Sequence, residues 1–184
     1  NQNHAAYHYP EYLDENDGIR ALPENRQGRR GVYSNDLMTD FAVDFLQRHH
    51  DRPFFLYLPF TLPHARLEVP ELGAYAARTD WPEEARIYAA MVTRLDHSVG
   101  RLRAELKRLK LDASTVVFFT SDNGPVKAPR TELLRSASHW RGRKGSVYEG
   151  GIRVPMIVRW PGRVPAGRVS SEPWSFADVA PTLL

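Results

Sequence analysis

The chain has 184 residues, of which 42% are hydrophobic and 26% charged, and its 25 Lys and Arg against 22 Asp and Glu give a formal net charge of +3. Such a chain is long enough for one domain and too short for two, and no apolar run nears the ~20 residues that cross a bilayer. With no cysteine, a disulfide framework, a thiolate metal site and a cysteine nucleophile are excluded within these residues, and a mild, scattered basic charge without a recognition module argues against nucleic acid.

Residues 1–33, rich in Tyr, His, Asn, Gly and Arg without a sustained period, read as a loop-rich lead-in with short strands. Ser34 is placed to cap a helix running to about His50, with Leu37, Phe41, Phe45 and Leu46 on one face. Asp51-Arg52-Pro53 breaks it. The continuous apolar run Phe54 to Phe60 suits a strand buried on both faces. Residues 61–82 contain prolines, show no period and read as loop. From Pro82 a long amphipathic helix is expected, because Ile87, Met91, Leu95, Val99, Leu102, Leu106 and Leu109 keep spacings of three and four. Val116 to Phe119 is a second buried-strand run, ending in Thr120-Ser121-Asp122-Asn123-Gly124. A loop to about Gly151 follows, then a third strand over Arg153 to Trp160, stopped by Pro161-Gly162. Asp178 to Leu184 reads as a helix just starting. With the first methionine at Met38, both ends are expected to be cuts through a larger protein.

Helices alternating with buried strands define the α/β class, for which a mainly parallel sheet flanked by helices is the natural solution. Ligands of such sheets sit beyond the carboxyl ends of the strands. Two predicted strands end in polar residues there, Pro63-His64 and Asp122-Asn123. Asp122 and Asn123 offer a carboxylate and an amide oxygen of the kind that hard cations take, although Asp-Asn-Gly is also a common turn. His64 in Leu62-Pro63-His64-Ala65-Arg66 is a candidate for contacting an anion or passing a proton, against the plainer reading of a surface histidine. Lys144, flanked by Gly142 and Gly145, is either a cation held for an anion or part of a solvated basic loop. The spacing is not that of a phosphate-binding P-loop.

Together these stretches resemble one family. Thr120-Ser121-Asp122-Asn123-Gly124, the run from Gly142-Arg143-Lys144-Gly145-Ser146 through Glu149-Gly150-Gly151-Ile152-Arg153-Val154-Pro155, and Asp178-Val179-Ala180-Pro181-Thr182 are similar to the formylglycine-dependent (type I) sulfatases of the alkaline phosphatase superfamily. Phe54-Phe55-Leu56-Tyr57-Leu58 leading to Pro63-His64, and Leu95-Asp96, fit the same order. The resemblance implies an alkaline-phosphatase-like α/β fold that is incomplete here, with the N-terminal half and a small C-terminal domain missing. Residues 1–184 would form part of one catalytic domain, 1–33 its lead-in and 34–184 the portion carrying the motifs. It implies hydrolysis of a small-molecule or carbohydrate sulfate ester with calcium or magnesium. Asp122 and Asn123 would be metal ligands, and His64 and Lys144 would contact the sulfate. The formylglycine nucleophile, made from Cys or Ser in a Cys/Ser-x-Pro-Ser/Ala-Arg motif, is expected upstream, because no such motif occurs in these residues. Where the family often has Pro two places after the histidine, this chain has Arg66. A phosphodiesterase or phosphonate monoester hydrolase of the same superfamily, and a non-catalytic fragment or pseudoenzyme, are the alternative readings. The implied location is periplasmic or secreted, or lysosomal in an animal.

Overall fold

A computed structural model describes residues 7–64 and 66–184; the first six residues of the lead-in, and Ala65 beside His64, lie outside the described residues. The lead-in forms a hairpin of β1 (Tyr12–Glu15) and β2 (Gly18–Ala21), antiparallel with Glu15 opposite Gly18. A two-residue turn of this kind needs positive φ, which Asn16 adopts at 54°. A 3-10 segment over Pro23–Gly28 follows. Inside it the buried Asn25 side chain donates to the carbonyls of Pro10 (2.7 Å) and Val32 (2.8 Å) and accepts from the Val32 amide at 2.8 Å. Those three bonds fasten the lead-in to the chain that enters the first helix.

Helix α1 (Ser34–His49) starts where the sequence places it, but Ser34 does not cap it. Tyr33 holds the N-cap position without a side-chain bond. The first amides of a helix have no partner within it, and here the Ser34 amide is met by the His8 carbonyl at 2.9 Å. Helix α2 (Glu83–Arg108) carries the apolar stripe read from the sequence and runs for 26 residues. The two helices are joined by polar contacts as well as apolar ones. Asn35 donates to Ser98 at 3.1 Å, Arg94 grips both carboxylate oxygens of Asp36, and Arg101 pairs with Asp40 at 2.7 Å. Tyr33, Leu62 and Met91 form the buried cluster, with Tyr9, Leu67, Val69, Ile87 and Leu95 packed against it. Burying a side chain like Met91, which is 0% exposed, contributes about 1.5–3 kcal/mol.

The run Phe54 to Phe60 departs from expectation. It is extended but pairs with no strand among the described residues. Its burial alternates: Phe54, Leu56, Leu58 and Phe60 are half-buried, whereas Phe55 and Tyr57 are 76% and 74% exposed. A continuous apolar run hides this alternation, because both faces carry the same kind of residue.

The second sheet joins β3 (Val117–Thr120) to β4 (Met156–Arg159). Here too the structure corrects the sequence reading, since both sheets of the described residues are two-stranded and antiparallel rather than mainly parallel. The physical reason lies in the connection. A parallel pair needs a crossover spanning the strand length, and residues 121–155 contain only α3 (Pro129–Leu133) and α4 (Glu149–Ile152), of five and four residues. The chain therefore folds back at the end where β3 finished. Arg159 anchors β4 to the turn after α2 through two bonds to Asp112, at 2.6 and 2.8 Å. Near the end, α5 (Val179–Leu183) follows a 3-10 turn in which Asp178 accepts from the Ser175 amide at 2.7 Å. This is the helix start read from the sequence.

Candidate active site

The register of β3 and β4 builds the first half of the site. Thr120 lies opposite Met156, so the residues after Thr120 must run beside those before Met156. Asp122-Asn123-Gly124 consequently meets Gly150-Gly151, and the Gly124 amide donates to the Gly151 carbonyl at 2.9 Å. The approach requires glycine, since a Cβ on Gly124 would stand 2.0 Å from the Gly150 carbonyl oxygen. One on Gly151 would meet the carbonyls of Ser146 and Arg143 at 2.2 and 2.4 Å. The glycine-rich run is thus packed against the end of β3. Ser146 closes the turn around Lys144, its hydroxyl donating to the Arg143 carbonyl at 2.8 Å, and the Lys144 amide donates to the Pro125 carbonyl at 2.8 Å.

The second half comes from the loop after Phe60. Leu62 is buried against Tyr33 and Met91, and the His64 amide closes a turn onto the Thr61 carbonyl at 2.9 Å. His64 is thereby carried out of the apolar cluster to the surface. Its Nε2 lies 3.5 Å from Nζ of Lys144, across 80 positions of sequence. An ammonium has only donors, so any hydrogen bond in this contact runs from Lys144 to the ring nitrogen.

The structure therefore brings His64 and Lys144 into contact and ties the Lys144 backbone to the residue two places after Asn123. Asp122 and Asn123 stand at the carboxyl end of β3, as expected. The Asn123 amide donates its Nδ2 to the Gly124 carbonyl at 3.0 Å, which leaves its side-chain oxygen as the acceptor to offer. A carboxylate and an amide oxygen side by side suit a hard cation in type. Calcium takes about six to eight oxygens, and no group of three or more His, Cys, Asp or Glu is clustered for a metal among the described residues. The site is open. A cleft of about 410 Å³ is lined by Lys127, Glu132, Arg135, Trp140 and Arg143 rather than by His64 or Lys144. At the place where the family often has Pro, Arg66 lays its guanidinium over the Tyr7 ring at 4.0 Å.

Three supporting residues were not singled out from the sequence. His8, 0% exposed, has its Nε2 3.1 Å from the His64 carbonyl. Tyr33 donates its hydroxyl to the Glu68 carbonyl at 2.8 Å, and Asn25 makes the staple described above. Burial lowers the proton affinity of His8 and raises the pKa of Tyr33, so His8 favours the neutral form and Tyr33 keeps its donor. Nothing in Tyr7-His8-Tyr9-Pro10 marks the role of His8, because its partner is a backbone carbonyl 56 positions away.

Comparisons with known proteins converge on one family. The family model described as Sulfatase matches residues 1–184. Mouse steryl-sulfatase is 40% identical over 151 residues, covering 79% of this chain and 23% of that protein. Dog N-acetylgalactosamine-6-sulfatase is 38% identical over 146 residues, covering 78% and 27%. A solved structure of Ps i-CgsB in complex with k-i-k-neocarrahexaose superposes with a TM-score of 0.65 at 33% identity, over 77% of this chain and 32% of that one. The chain spans about a quarter of the length of these two curated relatives.

Proposed function

The chain belongs to the sulfatase family, and on that footing we propose that the protein carrying it hydrolyses sulfate esters, with His64 and Lys144 at the sulfate and Asp122 and Asn123 at a divalent cation. The observation that supports this best is the 3.5 Å approach of Lys144 to His64 beside the Asp122-Asn123 turn. Two nitrogen groups meeting at an exposed point can share one anion. Lys144 holds a sulfuryl oxygen as a fixed positive charge, stabilising the charge that grows as the S–O bond breaks, and each such preorganised donor is worth about 3–4 kcal/mol of barrier. His64 hydrogen-bonds the sulfate and, once protonated, returns a proton to the departing alkoxide or phenoxide. Calcium or magnesium held by Asp122, Asn123 and ligands from outside this chain would polarise the sulfuryl oxygens. The formylglycine nucleophile is assigned to a segment of the protein other than these residues.

Residues 1–184 are proposed as part of one catalytic domain of alkaline-phosphatase-like α/β type. The extended run Phe54–Phe60, alternately buried and exposed, has the shape of a strand whose neighbours the rest of the domain would supply. The substrate is proposed as a small-molecule or carbohydrate sulfate ester, since the relatives are named for a steryl and an amino-sugar sulfate. A non-cytosolic location goes with the family. No helix among the described residues is long and apolar enough to cross a membrane.

The test is an assay of the longer protein on an aryl sulfate and on a matched aryl phosphodiester. Hydrolysis of the sulfate, lost on chelation and restored by calcium, is the expected result. Preferential hydrolysis of the phosphodiester, or turnover indifferent to chelation, would overturn the proposal.

A further inference from the structure

The loop that carries His64 has no ladder or helix to hold it. Residues 61–69 contain no regular element among those described, so two of the loop's backbone carbonyls take their partners from side chains. Tyr33 donates to the Glu68 carbonyl at 2.8 Å, and His8 lies 3.1 Å from the His64 carbonyl itself. A carbonyl oxygen only accepts, so His8 carries its proton on Nε2 and donates it there. Its other nitrogen, Nδ1, has no hydrogen-bond partner among the described residues. A buried imidazole that leaves one nitrogen unpaired is a poor choice for packing alone. It is a reasonable choice for holding backbone acceptors of this loop, where the His64 carbonyl lies at 3.1 Å and the Arg66 backbone also interacts with the ring.

His8 is itself fixed from three directions. Its carbonyl accepts from the Ser34 amide at 2.9 Å, at the first turn of α1. Its ring lies against Tyr33, with centroids 5.6 Å apart and planes 31° apart. Two residues on, the Pro10 carbonyl is held by Asn25 at 2.7 Å. The start of α1 is thus the rigid reference, and His8 transmits it to the backbone of the residue whose side chain meets Lys144.

We infer that His8 is the positioning residue of His64: its Nε2–H fixes the His64 carbonyl, and so the place from which the His64 ring reaches the sulfate and the leaving group. This rests on the role proposed above for His64. His8 touches no reacting atom, and its effect should appear selectively, in reactions that need the His64 proton. An alkyl sulfate with a basic leaving group needs that proton; an activated aryl sulfate with a good leaving group hardly does.

The experiment uses the longer protein with His8→Phe, which keeps the ring shape and removes the donor, and His8→Gln, whose amide can restore a donor at similar reach. Leu46→Ala, in the core of α1, controls for lowered stability alone. For His8→Phe, kcat/KM on the alkyl sulfate should fall about ten- to a hundredfold, the loss that displacement of a catalytic group brings, while the activated aryl sulfate, which loses the sulfate contact but does not need the proton, falls by a factor at least about threefold smaller. His8→Gln should keep both rates within about threefold, and Leu46→Ala should lower the thermal midpoint without altering the alkyl-to-aryl ratio. Equal behaviour of the Phe and Gln variants, or a His8→Phe ratio unchanged like that of Leu46→Ala, would reduce His8 to packing and overturn the inference. Should the wild type hydrolyse neither ester, the sulfatase reading falls by itself. Crystal structures of wild type and His8→Phe then decide the positioning claim. A His64 ring that moves away from Lys144 in the variant supports it, and a ring that stays beside Lys144 refutes it.

Discussion

Lys144 is constrained at both ends, its amide held by the Pro125 carbonyl at 2.8 Å and its ammonium 3.5 Å from His64. A lysine on a solvated loop would spend its rotamer freedom in water. This one gives up part of that freedom to stand beside a histidine, which is costly unless an anion completes the arrangement. In the longer protein Lys144→Ala should therefore lower kcat/KM by about a hundredfold or more. Lys144→Arg, with a planar fork in place of a point charge, should recover only part of it. A loss below threefold in the alanine variant would return Lys144 to the solvated loop. The four proposed site residues stand out in the sequence by their neighbours, glycines around Lys144 and polar residues after apolar runs at His64 and Asp122-Asn123, but their roles are read from the family resemblance. His8, Tyr33 and Asn25 do not stand out, because each acts on a backbone carbonyl elsewhere in the chain and any local pattern would serve.

Periodicity places both long helices to within a residue or two, since it records which face is buried and that face is decided locally. Strand pairing escapes it because a ladder is a relation between distant segments, and an apolar run names no partner. The end of α2 shows how an element is locked after its periodicity has placed it. Arg108 donates twice to Glu105, which is only 9% exposed, and that bonding holds the Glu105 carboxyl down to about 2 from an ordinary 4.5. The folded value lies below the unfolded one, so this stabilisation is complete above pH 4.5 and is lost as the pH falls through about 2. Its size should stay at or below about 1 kcal/mol, because the Arg108 side chain is 59% exposed and screened by solvent. Thermal unfolding of the wild type and Glu105→Gln should thus differ by a few degrees at pH 7 and converge towards pH 2. A gap that persists at pH 2 would assign the effect of Glu105 to packing instead.

For the molecule as a whole, the weight of the core lies on one side. Tyr33, Leu62 and Met91 with their neighbours bind α1, α2 and the His64 loop together, whereas β3 and β4 form a two-stranded sheet with no fully buried residue in either strand. Two ion pairs, Arg159 with Asp112 and Arg130 with Glu84 at 2.9 Å, join the two regions along with the approach of Lys144 to His64. Such an arrangement leaves apolar surface in water. Phe55, Tyr57 and Ile157 are 76%, 74% and 57% exposed, and the extended run carrying the first two has no ladder partner among the described residues. Unpaired extended backbone with exposed aromatics is a template for association. The 184-residue chain in isolation should therefore self-associate, and the double substitution Phe55→Ser, Tyr57→Ser should relieve this while leaving its thermal midpoint within a degree or two. In the longer protein the same pair of substitutions should destabilise by several degrees, if other residues of the domain cover that face, since buried aromatics lose about 3–5 kcal/mol each on truncation. Light scattering and calorimetry on the four proteins read both effects. A monomeric 184-residue chain at high concentration, or indifference of the longer protein to the substitutions, would show that the outward face of Phe54–Phe60 is built for water.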